Sequence, residues 1–315
     1  MFLHSIRNRR RKDPYCDGGS GRKQCGGVGR SGNQKFQKYG LEPEYIIIDN
    51  GTVSGQALLA GELQYLVSTG ALAITANMKG GDLTIIGGII NFIPFQLIGR
   101  PEIKTADDLR AKKVAISRFG SASEFAAREA LKKLRLDPAK DATILQVGGQ
   151  SARFAALTQN AVQAAVFNEP LSTLTVTKHK MNLLADLANL DLPFPNTDYI
   201  VRREHLQSHR TQVVSFMKAI LEGMQALKAN RPLGIHVIQK YLKMNSTEEA
   251  AIAYDYYVGQ NMGQIPEIPS RAALLAGIEQ TIGKKDGVIP EALKLTDRSV
   301  LEEVIKTGFV SSLYK

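Results

Sequence analysis

From residue 35 onward the apolar positions switch repeatedly between two periods. Tyr45–Ile48 is a short β-branched run between Pro43 and Asp49-Asn50-Gly51, which predicts a buried strand. Thr52–Ala60 then takes helical spacing and stops at Gly61. Leu83–Ile86 and Pro94–Ile98 predict two further extended pieces. They lie in the longest uncharged run, the 17 residues Leu83–Gly99, which Gly87, Gly88, Asn91 and Pro94 interrupt. That run is too short and too broken for a membrane-spanning helix and reads as two buried strands around a turn.

A second block repeats the alternation. Strands are predicted at Lys113–Ser117, Ala142–Val147, Val162–Phe167 and Met181–Ala185. Helices are predicted from Ser121 to about Leu134, over Ser151–Gln159 and over Leu171–Lys178. Ser121 and Glu124 form a capping box, as do Ser246 and Glu249 further on. Such alternation argues for mainly parallel sheets with helices on both faces. Beyond Pro195 the chain turns helical. Val213, Phe216, Met217, Ile220, Met224 and Leu227 share one face of a long helix, and Leu274, Leu275, Ile278 and Ile282 share another.

Composition changes this picture at one end only. The chain has 315 residues, 43% hydrophobic and 22% charged, with two cysteines; these are globular values and exclude a disulfide scaffold. The net charge of +10 resembles a nucleic-acid signal, but residues 1–40 carry +8 of it and the remainder only +2. A folded basic face is therefore not expected, nor is a nucleic-acid partner. Residues 1–34 hold seven Gly and six Arg with no helical or strand period, and no apolar stretch follows the basic residues Arg7–Lys12. They read as a disordered tail without the pattern of a signal peptide. Gly27, Gly29 and Gly32 match G-x-G-x-x-G, yet lack the flanking strand and helix of a dinucleotide site.

Catalytic constellations are poor. None of the five histidines stands in H-E-x-x-H; His205 and His209 are four apart but have basic neighbours, and surface histidines are expected there. No P-loop or nucleophile elbow occurs, and Gly148-Gly149-Gln150-Ser151 lacks the context of either. No cofactor, metal or catalytic residue is predicted. The sequence does place small polar clusters at strand-to-helix junctions: Asn50-Gly51-Thr52-Val53-Ser54, Ser68-Thr69-Gly70, and Ser117-Arg118-Phe119-Gly120-Ser121. Helix starts offer free amides to anions, and ligands of open α/β sheets sit beyond strand carboxyl ends. Arg118 is a candidate clamp for a carboxylate or sulfonate. Phe119 and Phe167 are candidates to stack on a ligand, and Glu169, in Phe167-Asn168-Glu169-Pro170, is either an amine acceptor or a solvated helix-start carboxylate.

The same residues carry a family resemblance. Ser117 to Arg128, Leu131-Lys132-Lys133-Leu134, Leu136-Asp137-Pro138, Asp141 to Gly149 and Ala152 to Leu157 resemble the second lobe of ABC-transporter solute-binding proteins of the nitrate/sulfonate/taurine type (SsuA-like). Lys38 to Glu44, Gly51 to Glu62 and Ile103 to Leu109 are similar to its first lobe and to the lead into the second. The resemblance implies a type II periplasmic-binding-protein fold, with residues 35–97 and 198–315 in lobe 1 and 98–197 in lobe 2. It implies crossovers near Pro94–Arg100 and Pro195–Val201, and a cleft lined by Gly51, Thr52, Val53, Ser54, Ser68, Thr69, Ser117, Arg118, Phe119, Gly120, Ser121, Phe167, Asn168 and Glu169.

The implied function is non-enzymatic. A small anionic or polar solute would be captured and presented to ABC permease and ATPase subunits, outside the cytoplasmic membrane, by a monomer without a membrane span. The alternative within the fold is binding or synthesis of thiamin-pyrimidine precursors, although the synthases carry a cysteine cluster and the cysteines here are Cys16 and Cys25. Arg135 and Asn160 stand where the family often has Gly, and Gln64 and Gln163 where it has Asp. Residues 1–34 stand where the family has a first strand and most of a first helix, and the expectation is a non-native start from an out-of-frame or mis-called translation.

Overall fold

The computed structural model describes residues 4–8, 35–48, 51–190, 192–244, 246–283 and 294–315. The described residues form two five-stranded sheets flanked by helices, the two-lobed α/β class expected.

In chain order the first lobe opens with β1 (His4–Asn8), helical residues 35–38 (α1), β2 (Pro43–Ile47), α2 (Gly51–Leu59), β3 (Tyr65–Ser68), α3 (Gly70–Met78) and β4 (Leu83–Phe92). The second lobe holds β5 (Gln96–Gly99), β6 (Lys112–Ile116), α4 (Ala122–Lys133), β7 (Ala142–Gln146), α5 (Gln150–Thr158), β8 (Ala164–Phe167), α6 (Leu171–Thr177) and β9 (Asn182–Asp186). β10 (Pro193–Arg202) returns to the first sheet. There follow α7 (Arg203–Ser208), α8 (Arg210–Ala229), α9 (Arg231–Tyr241), α10 (Thr247–Tyr254), a π-helical stretch Asp255–Gln260, α11 (Arg271–Ile282), α12 (Ser299–Lys306) and α13 (Phe309–Leu313).

Strand order is β2-β1-β3-β10-β4 in the first sheet and β7-β6-β8-β5-β9 in the second. The second sheet is mixed: β6 pairs parallel with β7 and β8, while β5 runs antiparallel to β8 and β9. The first corrects the expectation. β2, β3 and β4 share a direction, but β1 and β10 lie between them and run the other way, so every pairing there is antiparallel. For β10 the cause is topological, since it is the strand on which the chain comes back from the second lobe.

Three other expectations shift. Leu83–Gly99 does hold two buried strands, but β4 and β5 belong to different sheets, and the residues between them are the first crossover. Gln96 already pairs with Phe167 in the second sheet, and Pro193 with Phe92 in the first, so both crossings fall a few residues before the boundaries read from sequence. The crossings run side by side: the Ile93 amide donates to Leu192 O at 3.1 Å, and the Leu187 amide to Phe95 O at 3.0 Å. Within the segment read as an unstructured tail, His4–Asn8 forms a strand in register with Pro43–Ile47. The rest of residues 1–34 lies outside the described residues.

The first sheet is covered on both faces. On one, Tyr65 stacks on Phe216 at 3.9 Å beside Val213, Met217, Val300 and Val304 of α8 and α12. On the other, Leu58, Ile74, Leu274 and Ile278 bring in α2, α3 and α11. The second lobe closes around Val114, Ile116, Ala127, Leu131 and Val166, and Phe194 of β10 stacks on Phe125 of α4 at 4.8 Å, joining the lobes through apolar contact. Two residues standing for family glycines do take left-handed backbone: Arg135 has φ +58° and Asn160 φ +60°. Gln64 donates to Gly61 O of its own turn at 3.2 Å, and Gln163 accepts from the Lys113 amide of β6 at 3.2 Å.

Candidate functional site

The carboxyl ends of β2, β3, β6, β7 and β8 all open towards the space between the lobes, and the polar clusters sit there. The β6–α4 loop is held by its own hydroxyls. Ser117, Ser121 and Ser123 bond one another at 2.8–2.9 Å. Ser121 caps α4 by accepting the Glu124 amide at 3.4 Å, and Glu124 in return accepts the Gly120 amide at 2.6 Å. The capping box is thus real, displaced by one residue on its return arm. It projects Arg118 and Phe119 from a rigid base; Phe119 is 55% exposed.

These two side chains border a cavity of about 540 Å³, the size of a small-solute site. Its opposite wall is the first lobe: Gly51 and Gly55 of α2, Thr69 before α3, and Gln280 of α11. Among the described residues Lys79 and Arg118 are the charged groups that line it, and no carboxylate does. The Arg118 guanidinium lies against the first turn of α2, so close that a Cβ on Gly51 would stand 2.5 Å from Nη2. A cation and a helix start therefore converge on one spot, and both favour an anion.

Two donors tie the lobes together beside the cleft. Gln280 Nε2 donates to Ser121 O at 2.5 Å, and Tyr257 Oη donates to Glu169 O at 3.1 Å. Beneath them β10 places Asp198 under the start of α3. Its Oδ2 accepts the Gly70 amide at 3.0 Å, while Oδ1 has no partner among the described residues. Asp198 is 0% exposed. Burial pushes its pKa well above the ordinary carboxylate value, and the Gly70 amide only partly opposes this.

The structure thus gathers Gly51, Thr69, Arg118, Phe119 and Gly120 around one cavity. It puts other predicted residues to different uses. Val53 is 50% exposed on the outside of α2, Ser54 is buried and donates to Gly51 O, and Ser68 is buried in β3. The Thr52 side chain lies outside the described residues. Ser117 and Ser121 form the hydroxyl cluster, and Phe167 is 0% exposed in the second lobe's core. Glu169 accepts from Thr173 Oγ1 at 2.8 Å and from the Thr173 amide at 3.3 Å, at the first turn of α6. Asn168 is buried, its amide donating to Gln150 Oε1 at 3.0 Å. His205 corrects the surface reading: it is buried against Tyr65 and stacks on His209 at 4.8 Å. Burial, then the neighbouring His209 and Arg202, pushes its pKa down to about 4. Asp198 and Gln280 were missed because each signals only through distant partners.

Two α/β lobes, two adjacent crossings and a solute-sized cavity at the strand ends define the architecture of a periplasmic binding protein. Comparison agrees. The NMT1/THI5 like family model matches residues 35–232, more than half of the sequence, and the chain belongs to that family. A relative from Brucella abortus (strain 2308), provisionally named as a binding protein, is 26% identical over 219 residues, 67% of this chain. The match spans 65% of that relative's length. A solved structure from Bordetella bronchiseptica RB50 superposes with a TM-score of 0.71 at 14% identity, covering 88% of this chain and 91% of its own. The periplasmic aliphatic sulphonate binding protein SsuA from Escherichia coli gives 0.61 at 18% identity, over 79% and 83%. The periplasmic nitrate-binding protein NrtA from Synechocystis PCC 6803 gives 0.60 at 12% identity, over 82% and 79%. At such identities the likeness establishes the fold.

Proposed function

We propose that this chain is the solute-capturing component of an ABC import system. It holds a small anionic or polar solute, of the sulfonate, taurine or nitrate kind, between its lobes and presents the closed form to a permease outside the cytoplasmic membrane. The observation that carries this reading is the Arg118 guanidinium, which has no acidic partner among the described residues. It lines a cavity to which no described carboxylate contributes, and it lies against the start of α2 at Gly51. Such a cation supplies two parallel donors to a planar oxyanion. Hinge closure over the solute would then create the surface a permease reads. Among the described residues no helix is long and apolar enough to cross a membrane, and no group of three or more His, Cys, Asp or Glu could hold a metal ion.

The test is thermal unfolding of the full chain against a panel of sulfonates, taurine, nitrate, aromatic carboxylates and pyrimidines. A solute at about 100 times its dissociation constant adds about 2.7 kcal/mol, a shift of a few degrees. One compound class moving the transition is the expected result. A cooperative transition that none of them moves overturns the reading.

A further inference from the structure

We infer that the start of α5 is an oxyanion-binding site on the second lobe, built from the bare Gly148–Gly149 lip, the first-turn amides of Gln150, Ser151 and Ala152, and the Arg153 guanidinium. This rests on the solute-binding reading of the cleft and places a second contact for the solute's anionic group there.

The placement follows from the sheet. β7 runs parallel to β6, with Ile116 opposite Gln146, so the loop into α5 emerges on the same edge as the loop that carries Arg118. The two loops are tied together: the Val147 and Gly148 amides both approach Ile116 O, at 2.9 and 3.4 Å, and the Phe119 amide donates to Gln146 Oε1 at 3.2 Å.

Arg153 is the observation that points to a ligand. It is 3% exposed, yet no carboxylate pairs with it among the described residues, and its Nε has no partner. Its contacts are a long bond from Nη1 to Gly148 O at 3.4 Å and the Phe167 ring, 5.9 Å from Cζ. A buried cation is ordinarily paired, because removing it from water is costly. Here burial pushes its pKa down to about 10, so it remains charged at neutral pH. The Nη1 contact aims the guanidinium at the lip.

The lip itself is open. α5 spans nine residues and is preceded by Gly149, which offers no side-chain cap, so its first amides lack a partner inside the helix. Gly148, at φ +119°, needs glycine for its backbone. Gly149 does not: its φ is −58°, and a Cβ there would meet nothing within 4 Å. Glycine at that position keeps space free above the amides, beside a charge that has no counter-ion. A sulfonate, carboxylate or phosphate group supplies the missing charge and accepts from both amides and guanidinium. The Gly-Gly-Gln-Ser motif, without meaning as a catalytic sequence, acquires one as an anion cradle.

The experiment uses the full chain and three probes, sulfate, methanesulfonate and acetate, read by isothermal titration and by the unfolding midpoint without ligand. Arg153→Met is expected to weaken binding at least about tenfold while leaving the ligand-free midpoint unchanged or raised, since it removes an unpaired buried charge. Gly149→Leu fills the open space and is expected to weaken binding similarly with the midpoint unchanged. Unaltered affinity in either variant overturns the inference, as does a midpoint that falls in Arg153→Met with affinity intact, which would make Arg153 structural. A wild-type chain that takes up none of the three ions overturns it too. The solute reading is judged separately, on the organic panel and on Arg118→Gln, so the two failures are distinguishable.

Discussion

Gly51 and Arg118 meet across the cleft, from different lobes: a methyl group on Gly51 would stand 2.5 Å from Arg118 Nη2. The contact puts a guanidinium at a helix start, where an anion gains from both. Arg118→Gln removes the charge-assisted bond and is expected to weaken anion binding about thirtyfold, the equivalent of about 2 kcal/mol. The unfolding midpoint without ligand should hardly move, since Arg118 pairs with no acid among the described residues. Gly51→Ala displaces only the end of a flexible side chain, so calorimetry should show lost affinity with unchanged stability.

Asp198 makes stability depend on pH. Burial raises its folded pKa above that of an unfolded aspartate, so folding favours the protonated form. Its contribution is complete below the unfolded value of about 3.9 and is lost as pH rises through the raised folded value. Asp198→Asn keeps an acceptor for the Gly70 amide without the titration. The variant should match wild type near pH 4 and exceed it increasingly towards pH 8, in thermal unfolding across that range. A constant difference across the range would contradict this.

Arg135 ends α4 in left-handed backbone at φ +58°. A residue with a Cβ loses about 1 kcal/mol there relative to glycine. Arg135→Gly is expected to stabilise the chain by about that amount in chemical denaturation, without altering solute affinity. The site is remote from the cavity, so a loss of affinity would be unexpected.

Tyr257 and Gln280 bridge the lobes. Both donate to backbone carbonyls of the second lobe, Glu169 O at 3.1 Å and Ser121 O at 2.5 Å. Tyr257→Phe with Gln280→Leu removes both bonds and should favour the open form. Small-angle scattering should then show a larger radius of gyration. Solute affinities should fall by a common factor whatever the solute's charge, unlike the selective loss in Arg118→Gln.

Local chemistry was the part of this molecule that its sequence disclosed. The capping residues Ser121 and Ser246 accept the amides of Glu124 and Glu249, and the left-handed positions 135 and 160 are where the family resemblance placed them. Strand sense was hidden, because nothing within Pro193–Arg202 marks it as a return strand between β3 and β4. The site divided along the same line. Thr69, Arg118 and Gly120 lie in loops whose composition announces them. Gln280 lies on a helix read for its apolar stripe, and Asp198 in a strand whose partners Gly70 and Gly88 are more than a hundred residues away. Ser117 and Phe167 have the residue types of a binding site, yet packing gives one to a hydroxyl cluster and the other to the core.

The most direct measurement is a calorimetric titration of the full chain with the sulfonate or carboxylate that shifts its unfolding most, alongside an uncharged analogue of the same shape. Saturable one-to-one binding of the anion is expected, with at least about tenfold weaker binding of the neutral analogue and loss of that preference in Arg118→Gln. Equal binding of the two compounds, or an anion preference that survives in Arg118→Gln, would contradict this.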